Sequence, residues 1–182
     1  EFRRVLFRSD LCVVTGIASP LIKTTFTAPA GVNHLVWRVL DAGRCVAEGS
    51  LTLTPGRETA FQTSWPNARL WTMDDPHLYE LELTLQGTGP DKVIRQSFGL
   101  RTIEARGTDI YVNGHKFYVR GYIRGREAHD HDNLLNLPLE EFYAKNLAWA
   151  KRYGFNLVRF HSRIPPEECF TAADRLGRSE ER

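Results

Sequence analysis

The residues best able to do chemistry in this 182-residue chain crowd into its last third. Glu127, Glu140, Glu141, Glu167 and Glu168 are carboxylates of the kind used in general acid–base work. Glu140 and Glu141 follow Pro138 at the start of one helical pattern, and Glu167 and Glu168 follow Pro166 at the start of another. Negative charge in a first helical turn favours the helix dipole whatever the function, so these four need no catalytic explanation. His129-Asp130-His131-Asp132-Asn133 offers imidazole and carboxylate ligands, but in one short loop without distant partners. Leu134 and Leu135 stand where a calcium loop would need an oxygen ligand and its turn glycine. This stretch reads as a solvated loop with no metal. Cys12, Cys45 and Cys169 are widely spaced with no CxxC pair, which excludes a zinc ribbon and argues against a disulfide framework. They read as small buried hydrophobes.

The elements that must position such residues fall into two rhythms. From Leu11 to about Arg101 the pattern is short and β-rich. Strands are expected at Ile22–Thr27, His34–Leu40, Arg44–Leu53, Leu78–Leu85 and Lys92–Phe98, separated by Pro/Gly turn signals. Regular strands with turns between them argue for a sandwich, without the cysteine–tryptophan–cysteine signature of antibody domains. After about Ile103 the rhythm changes. Asn113-Gly114 between Ile110–Val112 and Lys116–Arg120 predicts a type I′ hairpin. Helices are expected at Pro138–Tyr153, closed by Gly154, and at Pro165–Leu176, closed by Gly177, with a strand at Phe155–Phe160 between them. Strand, helix, strand, helix is the opening of a parallel α/β unit.

Composition agrees with a globular chain: 42% of residues are hydrophobic, leaving no room for a disordered polymer. No apolar run approaches the roughly 18–20 residues of a membrane-spanning helix, so no membrane partner is expected. Both ends look foreign. A DNA string encoding Leu6-Phe7-Arg8-Ser9 has a reverse complement encoding Arg-Ser-Glu-Glu, the residues at 178–181, and the string resembles a sequencing-adapter core. Residues 1–9 and 178–182 are therefore read as adapter-derived and expected to pack against nothing, the rest being an internal piece of a longer gene. Without them, acidic and basic side chains balance, which removes the compositional case for a nucleic-acid partner.

The motifs together resemble glycoside hydrolase family 2, which includes β-galactosidases, β-glucuronidases and β-mannosidases. The resemblance rests on Leu70-Trp71 with Asp75-Pro76-His77-Leu78-Tyr79, Phe98-Gly99-Leu100-Arg101, Val112-Asn113-Gly114-His115-Lys116, Val119-Arg120-Gly121 and Gly154-Phe155-Asn156-Leu157-Val158-Arg159. It covers about Trp65 to Gly177. It implies a mixed β and α/β fold: an immunoglobulin-like β-sandwich over residues 10–103, then the first strand–helix units of an incomplete (β/α)8 barrel over 104–177. It also implies a fragment of a retaining exo-β-glycosidase. That chemistry uses two glutamates about 5–5.5 Å apart, which the family carries on later barrel strands. None of the five glutamates above stands in a matching motif. The fragment is thus expected to lack both catalytic residues and to be inactive alone, and no cofactor is implied.

What the resemblance leaves in this chain is a possible sugar-contacting rim of Arg120, Arg124 and His161. The family pattern Arg-Gly-x-Asn-Arg-His-x-His keeps Arg120, Gly121 and Arg124 here, with Ile123 and Gly125 replacing the asparagine and first histidine. Arg120 also suits a salt-bridged structural arginine. His161 stands one residue earlier than the histidine of the family's Arg-x-Ser-His-Tyr-Pro stretch, and Arg159 reads as structural. Trp65, Trp71 and Trp149 could stack on sugars, but each has a packing alternative, and core positions are expected for Trp71 and Trp149. A carbohydrate is the implied partner. The competing class is a non-catalytic carbohydrate-binding or adhesion module on the same sandwich, against which the α/β opening after Arg120 argues.

Overall fold

The computed structural model describes residues 12–15, 21–124, 136–161, 164–177 and 179–181. They form two compact units. The first holds the described residues up to Leu70 together with His77–His115. The second holds Trp71–Pro76 and the described residues from Lys116 onward.

In the first unit β1 (Cys12–Thr15), β2 (Leu21–Thr27) and β5 (Glu58–Ser64) make an antiparallel sheet in the order β1-β2-β5. A second antiparallel sheet has the order β4-β3-β6-β7, from β3 (Val32–Asp41), β4 (Arg44–Thr52), β6 (Tyr79–Gly87) and β7 (Lys92–Phe98). The apolar beats of the strands explain why the sheets face one another. On β6 the alternate residues Tyr79, Leu81, Leu83 and Leu85 are buried, and they share one core with Leu35, Trp37 and Val39 of β3 and Ile22 and Phe26 of β2. Across the core Trp37 stacks on Phe61 of β5, ring centroids 5.0 Å apart. No helix interrupts residues 21–101, as the turn-punctuated pattern requires.

The other face of the four-stranded sheet is charged. Glu48, Arg38, Glu82 and Arg95 lie side by side across β4, β3, β6 and β7. Arg95 reaches Glu82 at 2.7 Å, a hydrogen-bonded pair that raises the arginine's pKa further. Opposite charges on neighbouring strands face one another here and keep this face in water. Gly49 of β4 pairs with Trp37, and a Cβ there would fall within the indole ring's van der Waals shell. Gly49→Ala should therefore lower stability by about 1–3 kcal/mol through overpacking, read as a shifted urea midpoint with an unchanged slope.

A further small sheet, ordered β10-β9-β8, is made of β8 (Ile103–Arg106), β9 (Asp109–Val112) and β10 (His115–Phe117), and the first unit ends within β10, after His115. Asn113 and Gly114 have φ of 51° and 77°, the two positive values a type I′ turn needs. Asn113 also fixes where β8 begins: its Oδ1 accepts the Thr102 N–H at 2.9 Å, and its own N–H donates to Thr102 O at 3.0 Å.

The second unit pairs β11 (Gly121–Arg124) and β12 (Leu157–Phe160) in parallel, Gly121 opposite Leu157. Helix α1 (Leu139–Arg152) connects them and α2 (Glu167–Leu176) follows. Phe142, Tyr143 and Leu147 of α1 meet Val158, Cys169, Ala172 and Ala173 in a second core. Pro138 and Pro166 stand at the N-cap positions, and Gly177 closes α2 in the left-handed conformation at φ 70°.

Three expectations need correction. Trp149 is 64% exposed and lies beside Tyr153, 70% exposed, because two residues past buried Leu147 is the opposite face of a 3.6-residue helix. Cys45 is exposed, whereas Cys169 is buried as expected. Ser179–Glu181 form β13, parallel to Leu157–Arg159, and so do pack. A strand edge offers N–H and C=O groups and does not select side chains, so it can pair whatever sequence follows Gly177. Residues 1–9 lie outside the described residues.

Candidate functional site

Asn156 sets the geometry of the parallel sheet. Its side chain is buried and grips the chain just before β11, accepting the Arg120 N–H at 2.7 Å and donating to Tyr118 O at 2.8 Å. Its backbone N–H donates to Arg120 O at 2.9 Å. An asparagine does this where aspartate cannot, because one end must accept and the other donate.

At the opposite, carboxyl end of the two strands, the His161 N–H donates to Arg124 O at 2.9 Å, which brings two of the three expected rim residues together. The His161 side chain is exposed. Arg124 takes the other direction: its Nη1 donates to Asn146 Oδ1 of α1 at 3.0 Å, and Asn146 is itself anchored to Phe142 O. The alternation explains this, since Tyr122, two residues earlier, packs into the helical core. Arg120 is not brought to this end. It precedes β11, and its Nε donates to Gly154 O at 2.8 Å. A four-residue strand separates it from Arg124 by about 13 Å.

The sheet face away from the helices carries Ile123, 64% exposed, and its register partner Arg159, also exposed. Arg159, read from sequence as structural, therefore stands on the same face as Ile123, and the period-two alternation beside buried Val158 was the signal available for it. Glu140 is ion-paired with Arg175, and Glu141 lies 3.1 Å from Lys145. Glu167 is exposed in the first turn of α2, with Glu168 next to it. Glu127 and the 129–133 loop lie outside the described residues. Among the described residues no group of three or more His, Cys, Asp or Glu side chains gathers as a metal site would. Exposed imidazole and guanidinium groups at and beside a strand's carboxyl end can hydrogen-bond hydroxyl or carboxylate groups of a ligand, as donors or, for imidazole, as acceptor.

An antiparallel sandwich followed by a parallel strand–helix unit is the class these elements define. Residues 31–101 match the family described as glycosyl hydrolases family 2. The β-galactosidase of Aeromonas hydrophila is 32% identical over 112 residues, 60% of this chain and 10% of that protein. The β-galactosidase of Kluyveromyces lactis is 30% identical over 133 residues, 70% of this chain and 12% of the other. Among solved structures, a glycosyl hydrolase family 2 member from Bacteroides cellulosilyticus superimposes with TM-score 0.80 at 22% identity, over 94% of this chain and 24% of that one. Parabacteroides merdae β-glucuronidase does so with TM-score 0.78 at 20% identity, over 94% and 22%. Over residues 31–101 the chain is similar to glycosyl hydrolases family 2, and it spans about a tenth of the length of the curated relatives it matches.

Proposed function

We propose that this chain is part of a retaining exo-β-glycosidase, in which the immunoglobulin-like sandwich leads into the first strand–helix units of a (β/α)8 barrel. The observation that carries the proposal is the order of elements. A sandwich matching the family is followed by a parallel strand–helix–strand–helix run with His161 at a strand's carboxyl end. Active sites of such barrels are built at that end. The two catalytic glutamates belong to later strands of the parent protein. This chain supplies one sugar-contacting group, His161, and Arg124, bonded to Asn146, braces the strand end that holds it. Arg120, bonded to Gly154, serves as a strut at the far end.

The test is made in the parent protein, using aryl β-galactosides and β-glucuronides. His161→Ala should lower kcat/KM by about ten- to a hundredfold, the value of one good hydrogen bond to the substrate. Glu167→Ala should stay within about twofold of the parent. Equal effects of the two substitutions would remove His161 from the substrate's surroundings.

A further inference from the structure

We infer that Trp71–Pro76 is a strap, a length of chain that leaves the sandwich after β5 and completes the second unit by closing the C-terminal end of α2. The last four carbonyls of a helix have no partners within it. In α2 the Gly177 N–H meets Ala173 O, the Trp71 Nε1–H donates to Asp174 O at 2.8 Å, and Lys151 Nζ donates to Leu176 O at 3.1 Å. The same ammonium donates to Met73 O at 2.9 Å, so α1, α2 and the strap meet at one lysine. Trp71 is 1% exposed although no strand or helix holds it. A buried indole needs an acceptor, and the helix end provides one. Gly177 completes the fit: a Cβ there would overlap the Met73 carbonyl, and its positive φ disfavours other residues as well.

Release of the strap would strip Met73 O from the Lys151 ammonium, take the Trp71 Nε1–H away from Asp174 O and expose Trp71. Fraying of α2 would do the same from the other side. Strap and helix end therefore open as one event.

Native-state hydrogen exchange on the whole chain tests this, with Trp71→Phe, Lys151→Met and Gly177→Ala. Trp71→Phe keeps an aromatic ring and removes only the donor and part of the volume. Each variant should speed exchange of the α2 amides at least tenfold while β3 and β6 amides keep their protection, which also verifies that the chain is folded. Unchanged α2 exchange in the variants, or acceleration spread equally over the sandwich, would each overturn the strap. If Trp71→Phe or Gly177→Ala loses protection throughout, Lys151→Met decides alone by the same criterion.

Discussion

Purified as this 182-residue chain, the protein should hydrolyse no aryl β-glycoside above a buffer blank. Retaining chemistry needs an acid and a nucleophile about 5–5.5 Å apart on opposite sides of the glycosidic bond. Of the glutamates that could be pressed into service, Glu140 is held by Arg175, Glu141 lies beside Lys145, and Glu167 and Glu168 sit in the first turn of α2. Rate enhancements of glycosidases rest on both carboxylates together, so the expected difference from the parent protein is many orders of magnitude. Under the proposed function, joining the chain to the remainder of the proposed barrel should give hydrolysis, with retention at the anomeric carbon seen by NMR of the first-formed sugar. Turnover by the isolated chain that disappears on changing Glu127 or Glu168 would place the chemistry here instead.

The largest stability effect outside the strap is expected at Asn156. Asn156→Ala removes a buried acceptor from the Arg120 N–H and a buried donor from Tyr118 O. Both backbone groups lose their side-chain partner, and the cost is about 2–4 kcal/mol. Asn156→Asp should be nearly as damaging, since it keeps the acceptor but faces Tyr118 O with a second oxygen. The loss should fall on the second unit. In a urea titration, signals from Tyr122 and Phe155, whose rings lie 5.3 Å apart, should shift before those of the Trp37–Phe61 stack. A shift of both probes together, or one below about 0.5 kcal/mol, would contradict the anchoring role.

Much of this was legible where local chemistry decides the outcome. Asn113-Gly114 specified its hairpin because few other pairs accept two positive φ angles. Alternation along Tyr79–Leu85 specified a strand with one buried face. β5 was missed: Glu58–Ser64 offers only Phe61 as a large apolar beat among threonines and polar residues, and its place is fixed by pairing with β2 thirty-odd residues earlier. The candidate rim was legible only in part. Sequence order put Arg120, Arg124 and His161 at strand ends, but whether an arginine faces a helix or the open side depends on register. Trp71 was expected to be buried, yet its partner is Asp174, 103 residues away, and no local pattern reports such a pairing.

The parallel ladder between β12 and β13 bears on how such a protein is made. Chain leaves the ribosome at about 5–20 residues per second, and about twenty residues separate the end of β12 from β13. The free side of β12 is thus exposed for roughly one to four seconds before the next stretch can dock, while α1 already shields one surface. Each strand–helix unit would shorten the vulnerable interval of its predecessor and open another of its own. In the proposed barrel each new strand would cover the margin left by its predecessor, while the outer edge of β11 would wait for the last strand of the sheet to arrive.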